Sequence, residues 1–197
     1  MIDYKNDFIK ETELEGIEGK RIVLLANLRP QKNHFFLIDI AGHIKKQFPD
    51  WSFHLIGKDF HDSYSNELKL KINELKLNES IYLYGAKEDI SNILKQATIG
   101  ILTSKSEGLP VALLEYGINN LPVISTRVGE IPKIIENKQN GFLVDVNDIN
   151  GFVDSLKVLI ENHEFRNEIR GNFNSTILDN YTNNAVFKQY FKFINEN

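Results

Sequence analysis

The sequence predicts an α/β protein built on a Rossmann-like parallel sheet with helices on both faces. Two observations carry this. Short apolar runs recur along the chain, the first of them, Arg21-Ile-Val-Leu-Leu-Ala26, β-branched and unalternating as in a strand covered on both faces. Between them lie segments whose apolar residues repeat at helical spacing, so strands alternate with helices and are joined by right-handed crossovers. At 197 residues the chain is long enough to bury a core without metal or disulfide help, as one large or two small domains.

In chain order, residues 1–19 are polar and irregular and read as a tail or linker. Arg21-Ile-Val-Leu-Leu-Ala26 is the first buried strand. Leu37, Ile40, Ala41, Ile44 and Phe48 recur at helical spacing up to Pro49-Asp50, and Trp51-Ser-Phe-His-Leu-Ile56 forms a second strand leading into Gly57. The alternation continues with a helix near 65–76, a strand at 81–84, a short helix near 89–96 and a strand at 99–102. A helix from Pro110 to about Ile118, a strand at 122–125, a short helix near 131–136 and a strand at 141–144 follow. Ile149, Phe152, Val153, Leu156, Leu159 and Ile160 make one apolar helical stripe, and two more helices fit 164–178 and 182–195. The nucleotide-binding-type domain is thus expected over 20–180, with 181–197 as a terminal helix.

Composition excludes several classes. The absence of cysteine removes zinc fingers, cysteine nucleophiles and disulfide scaffolds, and a net charge of -4 argues against a nucleic-acid partner. No leader and no apolar run of about 20 residues is present, so the expectation is a cytoplasmic protein that does not span a membrane, with peripheral membrane association left open.

In open parallel sheets ligands sit outside the carboxyl ends of the strands, so the informative loops follow residues 26, 56, 84, 103 and 125. The first reads Asn27-Leu-Arg-Pro-Gln-Lys-Asn33 and puts Arg29 and Lys32 at a helix start, where the macrodipole is already positive. A phosphate or diphosphate would satisfy both cations and the free amides, or both side chains simply point into water. The loop after the fourth strand reads Thr103-Ser-Lys-Ser-Glu-Gly-Leu-Pro-Val-Ala-Leu-Leu-Glu115. Here Pro110 suits the first helical position, Gly108 permits a tight turn, and Leu109 and Val111 offer amide donors. Val111, Leu114 and Ile118 are expected to pack on the sheet, leaving Glu115 at the border of an apolar face. An ionised glutamate there matches two vicinal sugar hydroxyls; alternatively Glu107 merely favours a helix N-terminus and Glu115 is solvated.

No Gly-x-Gly-x-x-Gly follows the first strand and no P-loop motif occurs, which disfavours dinucleotide and P-loop readings. No Asp-x-Asp triplet offers a metal-bridged diphosphate site. His34, His43, His54, His61 and His163 lack metal-ligand spacing and read as surface or packing residues; Asp59, His61 and Asp62 are the one polar cluster dense enough to attract a metal. The expectation is no metal and no cofactor.

The run Glu107-Gly-Leu-Pro-Val-Ala-Leu-Leu-Glu115, two glutamates with seven residues between, resembles the signature of the retaining GT-B glycosyltransferases of the family-four group. Asn27-Leu-Arg-Pro-Gln-Lys-Asn-His34, Pro122-Val-Ile-Ser-Thr-Arg-Val-Gly129 and Asn140-Gly-Phe-Leu-Val144 resemble its other donor-domain segments, in the expected order. The resemblance runs from about residue 20 to the C-terminus and implies one half of a GT-B architecture, the half that holds a nucleotide-diphosphate-sugar donor without a metal. It implies that Lys32 binds the diphosphate, Glu107 orients the donor sugar and Glu115 holds the ribose hydroxyls. Amides around Gly108 and Leu109 would serve the phosphate side, and the backbone of Gly85 to Lys87 would border the base. Asn27, Gly57 and Val111 complete the implied donor site, and Glu107, Arg29 and Lys32 are the catalytic candidates. Many members carry arginine where this chain has Asn27; in an extended stretch Arg29 would face the same way and deliver that charge. Glu130 and Lys133 replace a glycine and a glutamate common at those points.

A complete two-domain member needs about twice this length. Met1-Ile-Asp-Tyr-Lys-Asn-Asp-Phe8 resembles the interdomain linker, so an N-terminal acceptor domain is expected in cis or trans, and the helix near 182–195 would reach back to it. The acceptor, a glycan, lipid or polysaccharide precursor, belongs to that half. Donor binding with little or no transfer by the isolated chain follows. The alternative is a non-catalytic nucleotide-sugar-binding module or a split-enzyme subunit; an epimerase would need acid and base residues that the sequence does not place.

Overall fold

The computed structural model describes residues 11–182. The apolar runs form six strands: β1 (Arg21–Leu25), β2 (Ser52–Ile56), β3 (Ile81–Gly85), β4 (Ile99–Leu102), β5 (Val123–Thr126) and β6 (Phe142–Val144). All pair in parallel in the order β3-β2-β1-β4-β5-β6. Strands β2, β4, β5 and β6 are buried along their whole length; β4 and β6 are wholly apolar, as burial on both faces favours, whereas β2 also buries Ser52 and His54, hydrogen-bonded to each other at 2.9 Å. The helices are α1 (His34–Gln47), α2 (Ser63–Glu74), α3 (Ile90–Gln96), α4 (Val111–Ile118), α5 (Ile149–Glu161) and α6 (His163–Asn180).

The chain steps outward from β1 to β3, crosses back to β4 beside β1, and steps outward the other way. Right-handed crossovers therefore put α1 and α2 on one face and α3 and α4 on the other. Helix α5 joins α1, with Phe152 edge-on to Phe36 at 5.6 Å, and α6 packs on α4, where Asn174 donates to the Gly117 carbonyl at 2.7 Å. The α5 stripe is buried as expected at Phe152, Val153, Leu156, Leu159 and Ile160.

Three local expectations change. The helix expected near 131–136 is a single 3-10 turn, Ile131–Lys133. Asn140 accounts for its ending, since its side chain accepts from the Glu136 amide at 2.8 Å and donates to the Ile134 carbonyl at 3.0 Å, taking groups a helix would use. Residues 11–20 contain no helix or strand, yet they are tied down. Thr12 donates from N and Oγ1 to Asp89 at 2.6 and 3.0 Å, and the Glu15 amide donates to Tyr84 Oη at 2.8 Å. The Thr12 amide holds the Asp89 carboxyl below its usual range. Third, α4 is rotated: Leu113, Tyr116 and Gly117 face the interior, while Val111 and Ile118 are 67% and 54% exposed. The helix expected at 182–195 lies outside the described residues, as do residues 1–10.

Candidate functional site: a cavity at the switch between β1 and β4

The reversal of strand order falls between β1 and β4, where open sheets place their ligands. These two strands pair only at Ile22–Ile99 and Val23–Gly100, then splay toward their carboxyl ends. Tyr116 fills the gap from below. Its buried hydroxyl accepts from the Leu25 amide at 2.8 Å and donates to the Ile101 carbonyl at 3.2 Å, replacing ladder bonds the splayed strands no longer make. Burial pushes that phenol well above its usual pKa, so it stays neutral. This explains the rotation of α4: with Tyr116 turned under the sheet, Val111 and Glu115 come round to the cleft.

Above the splay lies a cavity of about 460 Å³, lined among others by Asn27, Lys32, Gly57, Lys87, Glu107, Leu109, Val111 and Glu115. The sequence-predicted residues therefore converge, with three corrections. Arg29 does not line the cavity. The loop after β1 is zipped to the loop after β2 by Leu28 N to Lys58 O at 2.9 Å and Lys58 N to Asn27 Oδ1 at 2.7 Å. That turns Arg29 toward Phe60, whose ring its guanidinium covers at 4.7 Å. It also precedes a 3-10 turn, Pro30–Lys32, and α1 begins only at His34, so the two cations are not on the first turn of an α-helix. Gly85 and Gly108 also stand outside the lining. Gly85, at φ +70°, ends β3 and accepts from the Gly57 amide at 3.0 Å, and it is the following Ala86 and Lys87 that reach the cavity.

The two flanking loops are bound to each other. Lys32 Nζ lies 2.6 Å from Glu107 Oε1, and Ser104 Oγ donates to the same oxygen at 2.5 Å. Thr103 Oγ1 donates to the Lys32 carbonyl at 2.8 Å, the Lys105 amide to the Gln31 carbonyl at 2.8 Å, and Thr126 Oγ1 to the Ser104 carbonyl at 2.6 Å. The result is a rigid acidic and basic pair at one end of the cavity. Glu115, on α4, also lines the cavity; it is half-buried, and desolvation raises its pKa.

Gly57 lines the cavity, and Gly129 packs against the loop that carries Glu107. A Cβ on Gly57 would lie 2.1 Å from the Ala26 carbonyl oxygen, so only glycine lets β1 and β2 end side by side here. Gly129, at φ +53°, packs so closely under the Glu107 carbonyl that any side chain would displace that loop. Sequence reasoning assigned no role to Ser104, Thr103, Thr126 or Gly129. The motif ending at Gly129 was the available signal for the last.

The remaining candidates have structural work. Asp62 caps α2 by accepting from Ser65 N at 2.9 Å, and Asp59 pairs with Lys69 at 2.5 Å, so that cluster is engaged within the protein. Glu130 and Lys133 pair with each other at 2.5 Å on the surface. His34 and His54 are buried; desolvation lowers them to about 4 and about 3, so both rings are neutral near pH 7. Among the described residues no helix is long and apolar enough to cross a membrane.

Comparison with known proteins bears on the family and the fold. The family model described as glycosyl transferases group 1 matches residues 5–174. A UDP-Gal:alpha-D-GlcNAc-diphosphoundecaprenol alpha-1,3-galactosyltransferase of Escherichia coli is 32% identical over 161 residues, covering 77% of this chain and 41% of that protein. An uncharacterized glycosyltransferase of Haemophilus influenzae is 27% identical over 160 residues, covering 81% and 44%. This chain thus spans less than half the length of these curated relatives. Among solved structures, the C-terminal domain of a glycosyl transferase group 1 family protein (LpcC) from Francisella tularensis superposes with a TM-score of 0.76 at 26% identity, covering 85% of this chain and 89% of that one. Anabaena Alr3699/HepE, solved with UDP and glucose, shares the fold with a TM-score of 0.81 at 20% identity, over 90% of this chain and 48% of that one. The chain belongs to the glycosyl transferases group 1 family.

Proposed function

We propose that the cavity between β1 and β4 binds the nucleoside diphosphate sugar donor of a retaining, metal-independent glycosyl transfer. The observation that carries this is the convergence of Lys32, Glu107 and Glu115, drawn from two strand-end loops and one helix, on one hollow. Lys32 receives the diphosphate, and the loop amides at Leu109 and Val111 add fixed dipoles beside it. Charge developing on the leaving diphosphate is stabilised by groups already in place, so no reorganisation is needed at the moment of reaction. Glu115 accepts from the ribose hydroxyls, and Ala86 and Lys87 border the base.

The name of the E. coli relative, 32% identical, supports a sugar nucleotide as donor, and a neighbour that shares the fold was solved with UDP and glucose. Transfer also needs an acceptor site and a cleft closed against water, supplied by an acceptor-binding half in cis or trans. Thermal shift with uridine, guanosine and adenosine diphosphates and their sugars tests the reading. A ligand at about 100 times its dissociation constant adds about 2.7 kcal/mol, a clear rise in melting temperature. No shift with any of them contradicts it.

A further inference from the structure

We infer that the Lys32–Glu107 pair makes this cavity select a nucleotide sugar over the free nucleoside diphosphate, with Ser104 as the positioning residue that retains Glu107 when Lys32 turns to a phosphate. The inference rests on the donor-site reading above.

Among the described residues, the charged side chains lining the cavity are Lys32, Lys87, Glu107 and Glu115, which sum to zero. A diphosphate therefore meets no excess of cationic side chains in the lining while the Lys32–Glu107 pair stays closed. Lys32 in particular is taken: its ammonium is 2.6 Å from Glu107, whose side chain is 8% exposed. When a phosphate oxygen claims Lys32, either the ammonium leaves Glu107 or it holds two anions at once. In both cases a nearly buried carboxylate loses most of its compensation, and leaving a buried charge short of partners is costly.

Ser104 Oγ, at 2.5 Å from the same carboxylate oxygen, is the donor that remains. The hydroxyl is buried and its own backbone is fixed by Thr126, so Glu107 keeps its place after Lys32 departs. Hydroxyls of a donor sugar can then supply the missing donors. A free nucleoside diphosphate has none to offer there. A site built around buried polar groups rejects the analogue that leaves them unpaired. After the sugar has gone, Glu107 recaptures Lys32 and the product diphosphate loses its cation.

Calorimetric titration of this chain tests the idea with UDP against UDP-glucose and UDP-galactose, GDP against GDP-mannose, and ADP against ADP-glucose. Wild type, Glu107→Gln and Ser104→Ala are compared, each first checked by thermal melt. For the nucleotide that wild type binds, the sugar form is expected to bind tighter than the diphosphate. Glu107→Gln is expected to bind the bare diphosphate about tenfold tighter than wild type and to show a sugar preference within about twofold. Ser104→Ala moves the preference the other way, weakening the bare diphosphate several-fold and the sugar form less. If wild type binds a diphosphate but Glu107→Gln binds it no tighter, or keeps the wild-type preference, the inference is wrong while the donor cavity stands. An unchanged Ser104→Ala removes the positioning role. Wild type binding none of the compounds overturns the donor-site reading and this inference together.

Discussion

The Nζ of Lys32, on the turn after β1, lies 2.6 Å from Oε1 of Glu107, on the loop after β4. One ion pair thus joins the two loops on either side of the switch point, and it occupies the place where the proposed diphosphate meets the donor sugar. The cations of the first loop are divided by this contact: Lys32 faces the cavity and Arg29 lies over Phe60.

Lys32→Ala is therefore expected to weaken nucleoside diphosphate binding by about ten- to a hundredfold, the loss of one charge-assisted hydrogen bond of about 1.5–3 kcal/mol. Arg29→Ala should leave affinity within about twofold, because its guanidinium serves the aromatic ring outside the cavity. Calorimetry on the two variants distinguishes the roles, and equal losses would return Arg29 to the donor site.

With Glu115 on the ribose as proposed, binding is expected to depend on pH. Its carboxyl is raised above the usual glutamate range by desolvation, and only the ionised form offers two acceptors to a ribose. Lowering the pH should weaken nucleotide binding, starting at a higher pH than an ordinary glutamate would produce. Glu115→Gln should bind more weakly near pH 7 and lose that step. A wild-type profile with no step not shared by Glu115→Gln would place the titrating group elsewhere.

Tyr116→Phe should cost about 1–3 kcal/mol of folding stability, because the Leu25 amide and Ile101 carbonyl lose the hydroxyl that joins them across the splay. Urea unfolding reads this directly. A midpoint unchanged from wild type would mean that water or a local shift replaces the hydroxyl.

The two buried histidines set an acid limit on stability. Both are lowered in the folded state, from 6.5 to about 4 for His34 and about 3 for His54, chiefly by desolvation. The unfolded chain therefore binds their protons first as pH falls. Their contribution is fully present above about 6.5 and is lost progressively toward the folded values. Unfolding midpoints should be flat above about pH 7 on this account and decline from about 6.5 downward. A midpoint that stays constant down to pH 5 would contradict it.

The strands, the alternation and the glutamate pair were legible because each depends on local pattern: an unalternating apolar run has to be covered on both sides, as at Ile99–Leu102. The phase of α4 was not legible. Val111, Leu114 and Ile118 make as good a helical stripe as Leu113, Tyr116 and Gly117, and the choice is made by the gap between β1 and β4 that takes the Tyr116 ring. The same holds for Arg29. Its spacing from Asn27 predicts a shared face, but Lys58 and Phe60, about thirty residues away, bend the loop and capture the guanidinium. Ser104 and Gly129 act through the Glu107 loop, a tertiary contact with no local period to announce it.

A crystal structure of this chain with the nucleoside diphosphate that gives the largest thermal shift tests the central claim most directly. The account predicts the diphosphate within hydrogen-bonding distance of Lys32 Nζ, the ribose hydroxyls on the Glu115 carboxylate and the base beside Ala86 and Lys87. A nucleotide bound away from the β1–β4 switch point, or in this cavity with its phosphates turned from Lys32 and its ribose from Glu115, would contradict it.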